Sequence, residues 1–154
     1  MREFLGRLLG KTDFSDDRSS ETPLTSEDLA DHRPLAGAKI LVVDDEPIVR
    51  EVVADMLAAM GCTAITAENG EKALSVIDEE APTAILLDLA MPGMNGAEVA
   101  RMLVSRRPGA RIVFATSFAR NEAIDAGVGE NAILLRKPFS PSALADAISK
   151  ALAA

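Results

Sequence analysis

The sequence predicts an α/β fold, in which a doubly wound parallel sheet of five strands is covered by helices on both faces. Short aliphatic runs alternate with stretches of helical periodicity from residue 38 onward. Most of these runs are apolar on both sides, as strands covered by helices on each face must be. Strands and helices that alternate at these lengths form right-handed crossovers, and such crossovers make the strands parallel.

Five apolar segments are predicted as strands because Gly, Pro or Asn residues bound them and helical periodicity is missing within them. In chain order these segments are KILVV (39–43), CTAITA (62–67), TAILLD (83–88), RIVFAT (111–116) and NAILL (131–135). The single cysteine, Cys62, lies in the second segment and is interpreted as a small core residue.

The clearest helix is PIVREVVADMLAAMG (47–61), because Pro47 suits a first helical turn and Gly61 suits a helix end. Seven apolar residues share one stripe of this helix, which predicts that the stripe faces the core. They are Ile48, Val49, Val52, Val53, Met56, Leu57 and Met60.

Three further helices are predicted from GEKALSVIDEE (70–80), GAEVARMLVSRR (96–107) and SPSALADAISKALA (140–153). Ser140 is the expected N-cap of the last one, with Pro141 in its first turn. The segment ARNEAIDAGVGEN (119–131) has few apolar residues and two glycines, so we expect a short helix of low local stability there.

Length and composition predict one domain at residues 37–154, preceded by a largely flexible extension at residues 1–36. The chain of 154 residues is 48% hydrophobic, which suits a single domain with a real core. Residues 12–33 are polar and acidic and lack the apolar surface that would offset the entropy cost of ordering them. His32 lies in this tail, which is a poor place for a packed metal or catalytic site.

The first residues, MREFLGRLLGK, carry four apolar side chains on one side of a possible helix: Phe4, Leu5, Leu8 and Leu9. A helix of about ten residues is marginally stable in water unless it docks on something. A frayed terminus and a docking or partner-binding role are both open. A secretory signal is not predicted, because Arg7 interrupts the apolar region.

Charge and hydropathy exclude several classes of function. The formal net charge of −8 repels nucleic-acid phosphates and anionic membranes, so direct nucleic-acid binding is not expected. No apolar run approaches the roughly 20 residues of a membrane-spanning helix. One cysteine rules out an internal disulfide and fits a reducing compartment, and we therefore expect a cytoplasmic protein.

Polar residues follow four of the predicted strands, where each strand ends. They are Asp44, Asp45 and Glu46; Asp88; Thr116 and Ser117; and Arg136 and Lys137. Each residue has an ordinary structural explanation when it is considered alone, such as a turn former or a solvated charge. Ligands in open parallel sheets bind at the carboxyl ends of the strands, and the joint placement therefore favours one shared site.

The chemistry of these residues indicates phosphoryl transfer. Carboxylates gathered at one place repel one another, and an oxygen-only ligand set suits Mg²⁺. Asp88 would act as a nucleophile, while the Lys137 ammonium and the Thr116 hydroxyl hold the transferred phosphoryl group.

The motifs ILVVDDEP, ILLDLAMPGMNG, FATS and LLRKPFS resemble those of the receiver domain of two-component response regulators, over residues 38–154. The resemblance implies a flavodoxin-like sheet with strand order 2-1-3-4-5. It implies that Asp88 is the phosphoacceptor and that Thr116 and Lys137 assist as switch hydroxyl and charge. It also implies that Asp44, Asp45, Asp88 and the Ala90 backbone carbonyl bind Mg²⁺, and that the peptide bond before Pro138 is often cis.

By the same resemblance, the phosphoryl donor is a sensor histidine kinase or a histidine phosphotransfer protein. The chain would be a stand-alone receiver, monomeric or dimerising on phosphorylation, without substrate turnover of its own. It would signal to a downstream protein target or pass the phosphoryl group on. The surface of the short fourth helix, the fifth strand and the last helix is the usual partner surface in relatives.

Three residues depart from the family pattern. Leu134 replaces the Tyr or Phe usually found three residues before the lysine, which puts a conventional aromatic switch in doubt. Ala90 and Phe118 occupy the positions that influence attack by water, and neither side chain can position a water molecule by hydrogen bonding. We therefore predict slow self-hydrolysis of the acyl phosphate.

Three other functions fit parts of the sequence. A Mg²⁺-dependent phosphohydrolase with an aspartyl nucleophile on the first strand is the main alternative, although the chain lacks room for a substrate cap. A flavin carrier would need a phosphate-binding loop after the first strand, where DDEP would repel phosphate. A scaffold that is not phosphorylated is disfavoured, because the acidic cluster, Asp88, Thr116 and Lys137 are all present.

Overall fold

A computed structural model describes residues 35–93, 95–117, 119–125, 127–129 and 131–153. Five parallel strands form one sheet in the order β2-β1-β3-β4-β5, which confirms the predicted fold class and strand order. In chain order the elements are β1 (Lys39–Val43), α1 (Pro47–Ala59), β2 (Thr63–Ala67), α2 (Gly70–Glu80), β3 (Ala84–Asp88), α3 (Gly96–Arg106), β4 (Arg111–Thr116), α4 (Arg120–Asp125), β5 (Ile133–Arg136) and α5 (Pro141–Ala153). None of the described helices is long and apolar enough to cross a bilayer.

The strand register brings the polar ends of the strands to one edge of the sheet. Val43, the last residue of β1, pairs with Leu87, so that Asp44 and Asp88 follow at the same level. Asp88 pairs with Ala115 of β4. Thr116 in turn pairs with Arg136 of β5. The predicted site residues therefore share one rim.

Two apolar layers enclose the sheet. On one face α1 and α5 pack against the strands, with Leu57 and Ile148 fully buried. On the other face α2, α3 and α4 pack, with Ile77 and Leu103 fully buried. The strands are covered on both sides, as their two-sided apolar sequence predicts.

Local hydrogen bonds explain where the elements differ from the predicted bounds. The Cys62 amide donates to Leu57 O at 3.0 Å and closes the turn after α1, and β2 therefore starts one residue later than predicted. The Ala132 amide donates to Gly129 O at 3.1 Å, and because of this turn β5 begins at Ile133, two residues later than predicted. The predicted cap of α5 is confirmed, because Ser140 Oγ accepts from the Ala143 amide at 3.1 Å.

Ile48 differs from the prediction that the whole apolar stripe of α1 faces the core. Val53, Met56, Leu57 and Met60 are buried, but the Ile48 side chain is 73% exposed. Ile48 lies in the first turn of α1, immediately after Pro47. The later turns of α1 pack on the sheet, whereas the side chain of Ile48 in the first turn is exposed to solvent.

The described chain enters the domain through Leu35, which is fully buried against the α1 and α5 layer. The Gly37 amide donates to Gly61 O at 2.8 Å, which places the entry beside the C-terminal end of α1. The Cys62 thiol donates to Leu35 O at 3.3 Å, and burial raises its pKa to about 11. The predictions for residues 1–34, including His32 and the apolar stripe of residues 4–9, lie outside the described residues.

Candidate functional site

Two buried carboxylates form the floor of the site at the carboxyl ends of β1 and β3. The exposed fractions are 3% for Asp44 and 5% for Asp88. Asp44 Oδ1 accepts from the Glu46 amide at 2.9 Å, and Asp88 Oδ1 accepts from the Ala90 amide at 3.1 Å. Each carboxylate therefore has one oxygen held by the backbone that turns away from its strand.

Lys137 brings a positive charge between these two carboxylates. Its Nζ lies 3.0 Å from Asp44 Oδ2 and 3.4 Å from Asp88 Oδ2. Burial alone would lower the pKa of the ammonium, but the hydrogen bond to Asp44 and the charges of both carboxylates outweigh burial and raise it. The Lys137 amide donates to Thr116 O at 2.9 Å, which fixes the backbone of Lys137 beside the end of β4. The peptide bond between Lys137 and Pro138 is cis.

Burial raises the pKa of the Asp88 carboxyl above its ordinary value of 3.8. The Ala90 amide and the Lys137 ammonium lower this pKa, whereas the negative charge of Asp44 raises it. Burial has the largest effect on this pKa, so the ammonium does not fully offset the cost of desolvating the Asp88 carboxylate. Additional positive charge at the rim would favour the ionised, nucleophilic form of Asp88.

Three carboxylates are close enough to hold one metal ion. One oxygen from each of Asp44, Asp45 and Asp88 lies within 4.8 Å of the others, and Asp45 is on the exposed side. The set is all oxygen, with no nitrogen or sulfur ligand, and the exposed side leaves room for water. Both features fit Mg²⁺, which binds a few carboxylates and keeps several waters. The predicted role of the Ala90 carbonyl stays a prediction.

Thr116 ends β4 and is 1% exposed, next to the strand that carries Asp88. The structure thus gathers Asp44, Asp45, Asp88 and Lys137 directly and places Thr116 on the same rim. Ser117 and Arg136 are exposed beside them. A carboxylate nucleophile, a positive charge and a hydroxyl donor can together receive and hold a phosphoryl group, and this rim has all three.

Arg50 and Gly96 support the site in ways that sequence patterns did not indicate. Arg50 of α1 donates to the Asp44 backbone carbonyl, with 2.6 Å between Nη1 and O. A Cβ atom at Gly96 would lie 2.7 Å from Leu89 Cα and 2.9 Å from Asp88 O. The turn after β3 therefore packs against the start of α3 so closely that only glycine fits. The sequence predicts a helix that starts at Gly96, but it does not reveal this contact.

Leu134, which departs from the family pattern, pairs with Phe114 of β4 and is half-buried. It packs against the core layer formed by α2, α3 and α4. An aliphatic side chain therefore fills this position. Phe118, the other departure near the rim, lies outside the described residues.

Comparison with known proteins identifies a response regulator receiver domain over residues 40–149. The chain is 30% identical over 119 residues to the chemotaxis protein CheY of Thermotoga maritima, which covers 74% of this chain and 97% of that protein. It is 30% identical over 115 residues to sporulation initiation phosphotransferase F of Bacillus subtilis, covering 74% and 93%.

A longer relative is the positive alginate biosynthesis regulatory protein of Pseudomonas aeruginosa, which is 37% identical over 118 residues. The match covers 73% of this chain but 46% of that protein, so the chain spans less than half of that relative.

Solved structures show the same architecture. The chemotaxis protein CheY4 of Vibrio cholerae superposes with a TM-score of 0.70 at 29% identity, covering 76% of this chain and 100% of that one. The BeF3-activated DrrB receiver domain gives a TM-score of 0.65 at 30% identity, with coverage of 77% and 99%.

Proposed function

Because the chain belongs to the response regulator receiver family, we propose that it accepts a phosphoryl group from a phosphohistidine donor onto Asp88. Receiver domains act in two-component signalling as phosphoacceptors. One observation carries the proposal for this chain: Lys137 Nζ lies within 3.4 Å of both buried carboxylates at the carboxyl edge of the sheet. A cation over a buried nucleophile is the arrangement that holds a transferred phosphoryl group.

In the proposed reaction, one carboxylate oxygen of Asp88 attacks phosphorus. The bond between phosphorus and the donor imidazole nitrogen breaks, and its electron pair stays on that nitrogen. The product is an acyl phosphate on Asp88. The backbone amide of Ala90, which donates to Asp88 Oδ1, keeps the carboxylate oriented while this bond forms.

The remaining residues stabilise the charge on the phosphoryl oxygens. Lys137 would exchange its contact with Asp88 for a phosphoryl oxygen while Asp44 continues to hold it. The Thr116 hydroxyl would donate to a second oxygen from the adjacent strand. Asp44, Asp45, Asp88 and the Ala90 carbonyl would hold Mg²⁺, which when bound neutralises carboxylate and phosphoryl charge.

The proposed partners follow from the same chemistry. The donor is a sensor histidine kinase or a histidine phosphotransfer protein, and we place the exchange in the cytoplasm. Output would pass through the surface formed by α4, β5 and α5 to a downstream protein, through dimerisation, or by onward transfer. The six-residue length of α4 supports this assignment, since a short helix is easily shifted by a change at the rim.

Intact-mass spectrometry after incubation with a small acyl phosphate and Mg²⁺ tests the proposal. We expect one added phosphoryl group per chain, lost in Asp88→Asn and retained in Asp78→Asn, a matched change at an exposed residue. Transfer from a purified phosphohistidine donor should show the same pattern. Steady release of phosphate from a phosphate ester would favour the phosphohydrolase instead, and unphosphorylated wild-type protein would overturn the proposal.

A further inference from the structure

An apolar groove of about 490 Å³ lies beside the site, between α1 and the loop that follows β5. Its walls include Ile48, Val49, Val52, Met56, Pro138 and Phe139. The exposed Ile48 is one of these residues. Ile48 and the groove therefore form one contiguous apolar surface, which is the kind of surface on which partner segments dock.

The groove continues to the rim of the phosphoacceptor site. Glu46, Ser117 and Lys137 line the same groove at its rim end. Because Lys137 Nζ lies 3.4 Å from Asp88 Oδ2, a segment in the groove would border the path to Asp88.

Acidic residues accompany the apolar wall of α1. Glu46 lines the groove, whereas Glu51 and Asp55 lie outside its lining, three and seven residues after Ile48 and on the Ile48 side of α1. None of these three forms an ion pair with another described residue. An apolar segment that also carries positive charge would therefore match this groove.

We propose that the chain's own residues 1–11, MREFLGRLLGK, bind in the α1 groove, the apolar groove between α1 and the loop that follows β5. This segment has Phe4, Leu5, Leu8 and Leu9 at helical spacing for the apolar wall. It also has Arg2, Arg7 and Lys11 against a single acidic residue, Glu3. Docking would supply the packing that so short a helix needs in order to form.

The connection is long enough for this contact. Leu35 enters the same core layer that contains Val53, Met56 and Phe139, beside the C-terminal end of α1. The 13 residues of α1 span about 20 Å, which is the distance to its first turn. The intervening residues 12–34 would span about 26 Å as a random coil, so the linker length matches the distance and gives a high effective concentration.

Charge distinguishes this groove from two other surface depressions, because Lys137 in its lining is paired with Asp44 and Asp88. One lies between α3 and the segment after α4 and carries Arg101. The other is lined by Arg120 and Lys150. Both present positive charge, which would repel the basic segment.

Paramagnetic broadening in the full-length chain tests the contact. A nitroxide is attached at Gly6→Cys, a position away from the apolar stripe. Cys62 stays in place, because its buried thiol has little reactive thiolate near neutral pH. The wild-type chain treated with the same reagent is the control. We expect broadened methyl signals for Ile48, Val49 and Val52 but not for Val104 and Ile112, which lie at the α3 groove.

Leu5→Ser with Leu8→Ser in the labelled chain should abolish the broadening at Ile48. Three results would overturn the contact: no broadening in the α1 groove, broadening that survives the double substitution, or broadening at Val104 instead. A mixture of spin-labelled chains and isotope-labelled chains identifies the source. Broadening of equal strength in that mixture would assign the groove to a second copy and also overturn the proposal.

Discussion

Lys137 Nζ lies 3.4 Å from Asp88 Oδ2, at the end of the strand that carries the proposed phosphoacceptor. The same ammonium lies 3.0 Å from Asp44 Oδ2. The two carboxylates are buried, whereas the Lys137 side chain is 23% exposed. Lys137 therefore reduces the repulsion between Asp44 and Asp88 in the metal-free protein, and its ammonium is placed to bind a phosphoryl oxygen.

Replacing this ammonium by an apolar side chain of similar length should destabilise the metal-free protein. In Lys137→Met, we expect the free energy of unfolding to fall by about 2 kcal/mol, below the full cost of breaking a buried pair because Lys137 reaches solvent. Saturating Mg²⁺ should recover most of the loss, because the ion restores positive charge beside Asp44 and Asp88. Urea unfolding with and without Mg²⁺ measures both effects.

Lys39→Met provides the matched control. Lys39 Nζ lies 3.4 Å from Glu80 Oε1, and the two side chains are 40% and 42% exposed. This ion pair should contribute less than about 0.5 kcal/mol, and Mg²⁺ should not alter the loss. Equal losses in the two variants, or a Lys137→Met protein that does not respond to Mg²⁺, would contradict the role assigned to Lys137.

Asp88→Asn should raise the stability of the metal-free protein at neutral pH. Burial holds the pKa of Asp88 above its ordinary value of 3.8, so folding disfavours the ionised carboxylate. The stability that the protonated form provides is present below 3.8 and is lost as the pH rises through the raised pKa. The amide has no charge to desolvate and avoids this loss.

Urea unfolding of Asp88→Asn and wild type across a pH series shows whether the substitution raises or lowers the free energy of unfolding. The advantage of the variant should be largest at neutral pH and should shrink as the pH falls through the raised pKa. Asp78→Asn changes a 62% exposed carboxylate and should show no comparable gain. A variant that is less stable than wild type at neutral pH would show that the ion pair with Lys137 outweighs burial.

Gly96→Ala should destabilise the protein and disturb Asp88. The new methyl would lie 2.7 Å from Leu89 Cα and 2.9 Å from Asp88 O, both backbone atoms that cannot rotate away. We expect a loss of about 2 kcal/mol from overpacking, together with slower phosphorylation. Thermal unfolding and the acyl-phosphate reaction measure the two effects.

Gly109→Ala is the control, because a Cβ atom there meets nothing within 4 Å and its φ is not in the left-handed region. Its stability should stay level or rise by about 0.5 kcal/mol through the loss of chain entropy in the unfolded state. Similar destabilisation at both glycines would argue against the close contact beneath Asp88.

The fold was predictable because each strand and helix carries its own local signal. Two-sided apolar runs such as AILLD and a proline-initiated helix such as PIVREVVADMLAA depend little on the rest of the chain. The rim was predictable because parallel strands bring their carboxyl ends together. Asp44 and Asp88 therefore follow from sequence order once the sheet is assigned.

Contacts and exposures that depend on how the elements pack carried no such signal. The bond from Arg50 to the Asp44 carbonyl depends on how the first turn of α1 sits over the sheet edge. The exposure of Ile48 depends on where the sheet stops beneath that helix, which a periodic pattern does not encode. The separation of Lys137 from Asp44, 93 residues apart in sequence, likewise follows only from the packed fold.

The acyl phosphate on Asp88 should hydrolyse slowly, because Ala90 presents an exposed methyl group two residues beyond it. A methyl group cannot orient an attacking water molecule, whereas a carboxamide can. We expect Ala90→Asn to shorten the lifetime of the phosphorylated protein several-fold. Phe118→Ala should also shorten it, on the hypothesis that this ring shields the phosphoryl group. Loss of radiolabel from purified phosphoprotein, followed in excess Mg²⁺, measures the lifetimes.

Ala58→Asn is the control for Ala90→Asn, since Ala58 is an exposed residue near the far end of α1 from the rim. Its lifetime should equal that of wild type, because an amide there cannot reach the phosphoryl group. Rapid loss of label from wild type that neither Ala90→Asn nor Phe118→Ala alters would show that water reaches Asp88 by a route these positions do not control.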